Sequence, residues 1–398
     1  MKAISTRLEN VECVIAIQER NPLHTNLCNQ INEICYVDSV QEAKQLHEKK
    51  PNSCIVVPDG FSSEEMTKWE LTEFQDYLFE RYLFKKLVVV YGNCHTTVIS
   101  DYLENCKAFN EQYVLYRMKP IHMIEDVSYL DSPFFQVCDV FIHQSIRLGN
   151  RYGEAYASEN IIKRLQKSCV VIAIPNVYRM PVCFFPQYSK DTEWGDKTGT
   201  WFFRDSLLDQ YAIKGVSARR ACQLYLSDHS FSSSYLDQEL ENFFEKVKKR
   251  ETDWDVKCLA YIKNHYQSEQ LFYDPNHPTN TFLLYITEEV LKLLGVAYDE
   301  NALHSLAVGT LTGFEMPLLP EVKAHFGMHF PDSDNMRMHG RKLKQRHMDT
   351  REYVSQYLAF EWQNEQVPFW YRCISFVRFY LIKISGKAEM FLNKFNKQ

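Results

Sequence analysis

The stretch KLVVVYGNCHTTVISDYLENCK, residues 86–107, decides the fold. Its apolar, β-branched run Leu87–Val90 is typical of a buried strand. The turn Tyr91–His95 follows, and apolar residues at helical spacing then predict a helix that Asn93 or Thr96 can cap. A strand, a tight turn and a helix in this order hold a side chain above the end of a sheet.

Cys94 lies in this turn, where a helix N-terminus supplies unpaired N–H groups and a partial positive charge. Such an environment favours a thiolate, so Cys94 is a candidate nucleophile. The alternative is a buried structural cysteine, because free cysteines are among the most buried residues. The next residue, His95, is either a second acid–base group beside the thiol or a helix residue that faces solvent.

The composition is that of a globular protein, since 45% of the 398 residues are hydrophobic and 24% are charged. The formal net charge of −6 argues against a nucleic-acid partner. None of the 12 cysteines forms a CxxC pair, so we expect no metal. The N-terminus has no apolar signal region, so we expect a cytoplasmic protein with reduced cysteines. Association of this cytoplasmic protein with a membrane surface is a further option.

Strand-like runs alternate with helical patterns through residues 86–175, which predicts βαβ units and a parallel sheet. The predicted helices lie at 95–107, about 121–130 and 158–167. Ligands in such sheets bind beyond the carboxyl ends of the strands. The four predicted strands end in polar or turn residues, at 92–95, 119–120, 143–145 and 175–176. We therefore expect a ligand-binding edge there.

Three regions are predicted along the chain. Residues 1–85 form a small N-terminal α/β region, with helices at 40–49 and 63–84. Residues 86–298 form a catalytic α/β domain with a helical insertion at about 207–270. Residues 299–398 form a helical C-terminal region that includes the basic cluster 337–347. The predicted fold class is α/β, a parallel sheet with flanking helices plus an N-terminal α/β extension and helical C-terminal additions.

The tail FWYRCISFVRFYLIKISGKAEMFLNKFNK, residues 369–397, places arginines and lysines among bulky apolar residues. Charge interrupts it too often for a membrane-spanning helix. Two interpretations stand: a basic amphipathic helix on an anionic membrane surface, or a helix packed on the protein's own core.

A second motif lies far along the chain, where Asp274-Pro275-Asn276-His277-Pro278 precedes a predicted helix at 282–294. An aspartate three residues before a histidine lets one short loop present a base and its orienting group. His277 would take the proton from the Cys94 thiol, and Asp274 would hold the imidazole tautomer. The alternative is a plain turn, because Asp-Pro and His-Pro both favour turns.

An acyl-transfer site also needs donors for the oxyanion. The Cys94 backbone N–H would be one donor, and residues at neighbouring strand ends would supply others: Asn93, Gln144 and Asn176. The residues therefore predict a Cys-His-Asp site at the edge of a parallel sheet.

The order of these motifs resembles that of the SGNH/GDSL hydrolase superfamily. There a Gly-Asp-Ser block follows the first strand, and an Asp-x-x-His-Pro block precedes the final helix. Here Gly92-Asn93-Cys94 stands at the first block, and 274–278 matches the second. The resemblance implies a three-layer, flavodoxin-like α/β fold, and it implies a cysteine-variant esterase or thioesterase as an alternative function.

The chain is also similar to the WcbI family of acetyltransferases in polysaccharide biosynthesis. The similarity spans about residues 86–295 and rests on the segments YGNCH, FIHQSIRLG, AIPNVYR and NHPTN. His95 departs from the glutamine that usually follows the cysteine. The family implies coenzyme A or acetyl-CoA as ligand, without a metal, and a hydroxyl of a surface or capsular polysaccharide as acceptor.

This resemblance implies an acyl-CoA-dependent O-acetyltransferase. The acyl group would pass through an acyl-cysteine or directly to the sugar. Residues near strand ends would bind the phosphates of CoA: Gly92, Lys119, Arg147, Arg151 and Arg179. For each of the four cationic side chains in this set, the alternative is an ordinary solvated surface charge. A third interpretation is a non-catalytic glycan- or nucleotide-binding protein on this fold.

Overall fold

The structure is a computed structural model, and it describes fourteen stretches of the chain. These are residues 13–17, 33–37, 40–50, 53–57, 77–79, 85–131, 134–177, 188–190, 203–227, 231–311, 318–330, 336–338, 346–348 and 350–381.

The described residues contain fourteen strands. They are β1 Cys13–Ile17, β2 Glu33–Val37, β3 Ser53–Val57, β4 Tyr77–Phe79, β5 Lys86–Tyr91, β6 Tyr113–Arg117, β7 Val140–Gln144, β8 Val170–Ile174, β9 Tyr188–Lys190, β10 Phe203–Asp205, β11 Phe272–Asp274, β12 His277–Pro278, β13 Met336–Met338 and β14 Arg346–Met348.

Thirteen α-helices accompany them, together with short 3-10 turns and a helical segment at residues 369–381. The helices are α1 Val40–Lys49, α2 His95–Asn105, α3 Lys107–Gln112, α4 Phe134–Val137, α5 Ser158–Ile162, α6 Ser206–Ile213, α7 Ala218–Leu226, α8 Ser233–Glu251, α9 Leu259–His265, α10 Asn280–Leu293, α11 Glu300–His304, α12 Pro320–His325 and α13 Thr350–Phe360.

Two separate parallel sheets have the same strand order. The first runs β2-β1-β3-β4 and the second runs β6-β5-β7-β8, so each sheet places its strands in the order 2-1-3-4. This is the flavodoxin-like order, in which the chain reverses direction across the sheet between its first and third strands. The predicted α/β class with a parallel sheet and flanking helices is confirmed.

The second sheet carries the core that supports the Cys94 turn. After Lys86, every residue of β5 is buried, as continuous β-branched runs in parallel sheets are. Helix α2 packs on β5 and β6, and α4 packs on β5. The Asp139 carboxylate accepts the N–H of Leu87 at 2.6 Å, which aligns the starts of β5 and β7. The strand ends are therefore fixed in register.

Residues Asp253–Val256 run beside β8 although they lie far along the chain. The N–H of Asp255 donates to the Ala173 carbonyl at 2.8 Å, and the Ala173 N–H donates to the Asp255 carboxylate at 2.7 Å. These bonds satisfy backbone groups at this edge of the sheet.

The chain forms two compact units that alternate along the sequence. The first comprises 1–176, 253–256 and 283–309, and the second comprises 177–252, 257–282 and 310–398. Within the second unit the buried Asp205 carboxylate accepts bonds from Leu207 N–H, Tyr225 OH and Tyr353 OH. The sequence-based division into three regions stays a prediction.

Several predicted helices differ from the observed elements. Residues 121–130 form two 3-10 turns, and helix α5 ends at Ile162 instead of 167. Strand β4 lies inside the predicted helix 63–84, and the basic cluster 337–347 overlaps the antiparallel pair β13–β14. In each case the residues that the structure describes form turns or paired strands where the sequence favoured a helix.

Candidate functional site

The turn between β5 and α2 is built around Gly92. A Cβ atom at this position would lie 2.6 Å from Gln144 Oε1 and 2.7 Å from Thr96 Cγ2, closer than side-chain carbons approach other atoms. The Gly92 carbonyl accepts the N–H of Ile121 at 2.9 Å. Glycine therefore lets the backbone pass close beneath the amide of Gln144.

Gln144, the last residue of β7, is fully buried and holds three segments together. Its Oε1 accepts the Asn93 N–H at 2.8 Å, and its Nε2 donates to the Pro175 carbonyl at 3.2 Å. The same Nε2 lies 3.2 Å from Nδ1 of His95. Because the amide nitrogen is a donor, this contact favours a neutral His95 with its proton on Nε2.

His95 is 2% exposed, so the interpretation in which it faces solvent is wrong. Its backbone N–H donates to Asn93 Oδ1 at 2.9 Å, and this bond shows how asparagine closes the start of α2. The Asn93 amide also donates from Nδ2 to Asn176 Oδ1 at 3.0 Å. The three strand-end residues Asn93, Gln144 and Asn176 thus converge.

In the structure, the predicted oxyanion donors already make hydrogen bonds to neighbouring groups. The Asn93 N–H and one Asn93 amide hydrogen bind Gln144 and Asn176, and the Gln144 amide binds Pro175 and faces His95. These bonds fix the shape of the turn. A role for the three side chains as oxyanion donors stays a prediction.

Cys94 occupies the N-cap position of α2, in helical conformation with φ −57° and ψ −21°. It is partly exposed, and its side chain makes no capping hydrogen bond. Strand β5 pairs with β6 on one side and with β7 on the other. Cys94 therefore stands at the topological switch point of the sheet, where ligands of open α/β sheets bind.

Two polar residues beside this turn, His143 and Ser158, have no role that the sequence predicted. His143 is buried in register with Tyr91 and stacks on Phe141 at 5.2 Å, and burial lowers its pKa. Ser158 is buried at the start of α5, and its hydroxyl donates to the Gln144 carbonyl at 2.8 Å. The sequence signal that could have identified His143 is its place among the polar residues at the end of the strand-like run FIHQS.

The Asp274–His277 pair belongs to the second unit, where β11 and β12 form a short hairpin. Asp274 Oδ1 accepts the N–H groups of Asn276 and His277 at 2.8 and 3.0 Å. Its Oδ2 lies 2.6 Å from His277 Nδ1. The carboxylate is buried and the imidazole is partly exposed. A proton on Nδ1 makes Nε2 the basic nitrogen of the neutral ring.

The predicted phosphate-binding cations contact other side chains of the first unit. Arg147 forms an ion pair with Asp253 at 2.9 Å, and both side chains are exposed. Arg151 and Lys119 lie over the rings of Tyr152 and Tyr129, at 4.7 and 5.3 Å from the centroids. Arg179 lies outside the described residues. Phosphate binding by these cations stays a prediction.

One group among the described residues has the donor spacing of a metal site. Glu288, Glu300 and His304 place one ligand atom each within 4.8 Å of one another. His304 Nε2 lies 2.6 Å from a Glu288 oxygen, and the group is largely exposed. This cluster is well accounted for as a surface ion pair beside a further carboxylate.

Two comparisons with known proteins found similarities to this chain. Residues 87–299 match the model of a family described as the polysaccharide biosynthesis enzyme WcbI. A solved structure described as WcbI, a novel polysaccharide biosynthesis enzyme in its native form without a disulfide bond between CoA and a cysteine, superposes with a TM-score of 0.55. It is 17% identical, and the match covers 74% of this chain and 94% of that chain, which shows the shared fold. None of the curated proteins matches the chain.

Proposed function

Because the chain belongs to the WcbI family of polysaccharide biosynthesis enzymes, we propose that it transfers an acyl group from coenzyme A to a hydroxyl of a polysaccharide or of its sugar precursor. The observation that carries this proposal is the position of Cys94 at the switch point, in a turn fixed by Gln144 and Asn93. The description of the related structure refers to a disulfide between CoA and a cysteine, and this supports CoA as the ligand.

In the covalent route, the Cys94 thiolate attacks the thioester carbonyl of acyl-CoA. The bond between the acyl carbon and the CoA sulfur breaks, and the CoA thiolate leaves with a proton from the catalytic imidazolium. The acceptor hydroxyl then gives its proton to the imidazole and attacks the acyl-cysteine, which releases the Cys94 thiolate. In direct transfer, the hydroxyl attacks acyl-CoA itself with the same base.

We assign His277 as that base. The support is its bond to Asp274, since donation from Nδ1 to a buried carboxylate orients the ring and stabilises the imidazolium that forms. The remaining assignments belong to the same proposal: CoA phosphates on Lys119, Arg147, Arg151 and Arg179, a surface or capsular glycan as acceptor, and a cytoplasmic location.

Intact-mass measurement after incubation with acetyl-CoA tests the role of the thiol. We expect the wild-type protein to gain an acetyl group, Cys94→Ala to gain none, and Cys373→Ala, which removes an exposed cysteine, to behave like the wild type. If transfer is direct, no adduct forms, and acceptor-dependent release of CoA takes its place as the readout.

Two results would contradict the proposal. The first is a folded protein that binds no CoA by calorimetry. The second is release of acetate from acetyl-CoA at the same rate with and without an acceptor sugar, which would assign a thioesterase instead.

A further inference from the structure

The helical segment at residues 369–381, in the second unit, presents its apolar side chains to solvent. Seven large apolar residues of this segment are exposed, from 42% for Phe376 to 73% for Phe369. The seven are Phe369, Trp370, Ile374, Phe376, Val377, Tyr380 and Leu381. A surface helix of a globular protein ordinarily turns such residues toward the core.

These side chains form one continuous surface. At about 3.6 residues per turn, they and Cys373 occupy an arc of about 160° around the helix axis. No charged residue lies within this apolar arc. Arg372 stands just outside one edge and Arg378 just outside the other.

The opposite side of the segment is anchored within the second unit. Tyr371 and Ser375 are 2% and 0% exposed. Phe379 packs against Phe360, with the ring centroids 5.1 Å apart, and against Trp362 at 5.9 Å. These contacts hold the segment with its apolar arc facing outward.

We propose that the apolar arc is a docking surface for an anionic lipid bilayer, with the helix lying in the plane of the membrane. Interfacial helices bury an apolar face at the boundary of headgroups and acyl chains, where tryptophan and tyrosine are favoured. Arginines at the two edges reach lipid phosphates while their stems cover apolar surface.

Charge supports a lipid surface as the occupant. Residues 369–398 contain six lysines and arginines and a single acidic residue, Glu389, in a chain whose net charge is −6. Clustered basic residues beside an apolar helix are attracted to anionic lipid headgroups. No helix in the described part of the chain is long and apolar enough to cross a membrane.

A second copy of the chain fits this surface less well. Symmetric pairing through the apolar arc would bring Arg372 and Arg378 of both copies along the same interface. The segment 369–381 has no aspartate or glutamate to pair with them. Like charges across an interface oppose association, whereas a phosphate-rich surface satisfies both edges.

Vesicle flotation of the full chain tests the proposal. We expect the wild-type protein to float with phosphatidylcholine vesicles that contain phosphatidylglycerol, and salt should weaken this binding. F369E/V377E places two carboxylates in the apolar arc and should lower the vesicle affinity by about tenfold or more. R372Q/R378Q should lower the preference for anionic over neutral vesicles by about tenfold.

Leu293→Glu is the matched control, because Leu293 is 52% exposed and lies in α10, outside the segment. Its flotation should equal that of the wild type. The proposal is overturned if the wild type does not float, or if F369E/V377E floats as well as L293E. A dimer that F369E/V377E converts to monomer, without vesicle binding, would assign the arc to a second copy.

A measurement on the intact surface covers the case in which F369E/V377E fails to fold. Brominated lipids should quench part of the wild-type tryptophan fluorescence, and Trp370→Phe should remove most of that quenching. Equal quenching in both proteins would overturn the proposal, because it would place another tryptophan at the lipid.

Discussion

Position 92 has room for glycine alone. Gly92→Ala would place a methyl group 2.6 Å from Gln144 Oε1, so the glutamine amide must move away from the Asn93 N–H. We expect a loss of about 1–3 kcal/mol in the free energy of unfolding, as for other overpacked sites. Chemical denaturation measures this loss, and reactivity of Cys94 with acetyl-CoA should fall with it.

Gly309→Ala serves as the control for this substitution. Nothing lies within 4 Å of a Cβ atom at Gly309, and its φ is not in the left-handed region. The unfolding free energy should therefore stay within about 0.5 kcal/mol of the wild type. An equally small effect of Gly92→Ala would contradict the close packing described for the turn.

Asp274→Asn tests the orientation of the base. The asparagine Oδ1 can still accept the N–H groups of Asn276 and His277, so the hairpin should form. Its amide would now donate toward His277 Nδ1 and favour the opposite tautomer. We expect kcat to fall by about a hundredfold or more with little change in KM. Steady-state acyl transfer measures the effect, and an unchanged kcat would remove Asp274 from the proposed mechanism.

Single residues were predictable where their chemistry is tied to a strand end. Asn93, Gln144 and Asn176 were expected at one edge of the sheet, because the carboxyl ends of parallel strands share an edge, and their hydrogen bonds show that they lie together there. Ser158 was not predictable, since its bond to the Gln144 carbonyl depends on where α5 begins in space. A single sequence carries no signal for such a contact.

At the scale of elements, β10, α6 and the 3-10 turn that follows α13 share a buried charged cluster in the second unit. Arg204 lies 3.1 Å from Glu361 and 2.8 Å from Asp209. Burial raises the pKa of Asp205 to about 6, and burial raises the pKa of Glu361 to about 7 although Arg204 opposes the shift. Both carboxyl groups therefore keep their protons to a higher pH than in the unfolded chain.

The raised pKa values in this cluster predict how the free energy of unfolding changes with pH. Between about pH 4 and pH 7 the folded state binds more protons at these groups than the unfolded state, so their ionisation lowers the free energy of unfolding as pH rises. Glu361→Gln removes one such group. Its stability relative to the wild type should rise with pH through this window, by at most about 1.4 kcal/mol per pH unit.

Urea denaturation at several pH values measures this difference. Glu365→Gln is the control, because Glu365 is an exposed carboxylate only four residues away. Its stability should follow that of the wild type at every pH. A flat difference for Glu361→Gln would mean that folding does not raise the pKa of Glu361 above its value in the unfolded chain.

Elements were predictable where apolar runs and capping residues agree. The helix expected at 282–294 appears as α10, Asn280–Leu293, and Gly295 follows it with φ +68°. Residues 121–130 instead satisfy their backbone in two 3-10 turns. At the two ends of the basic cluster, β13 and β14 pair with each other instead, because cross-strand pairing, which helical periodicity does not show, decides such segments.

At the scale of the whole molecule, the cysteines differ widely in access. Cys258 is fully buried, and burial raises the pKa of its thiol. Cys138 is buried too, and the neighbouring Cys169 thiol 3.5 Å away raises its pKa, with burial adding to the effect. Cys373 is exposed and Cys94 is partly exposed. Only accessible thiols that form thiolates react readily.

Iodoacetamide labelling of the native protein, followed by peptide mass mapping, should report these differences. We expect Cys373 and Cys94 to be labelled, while Cys138 and Cys258 react only after denaturant is added. Prior incubation with CoA should slow labelling of Cys94 and leave Cys373 unchanged, since only Cys94 belongs to the proposed site. Equal protection of both thiols would contradict that assignment.

The alternation of the two units along the chain was not visible in the sequence. Composition and periodicity place boundaries where patterns change, whereas the observed units exchange segments at residues 176, 252, 256, 282 and 309. The return of Asp253–Val256 to the edge of β8 depends on three hydrogen bonds to Ala173, two to its carbonyl and one from its N–H. Long-range contacts of this kind leave no local mark on a sequence.

This alternation sets an order of events during synthesis. Strands β1–β4 have all left the ribosome once residue 79 is clear of the exit tunnel, so the first sheet can assemble early. The unit that contains Cys94 cannot be completed until residue 309 has been made. A nascent chain therefore carries the Cys94 thiol through more than two hundred further residues of translation before the unit that surrounds this thiol in the folded protein is whole.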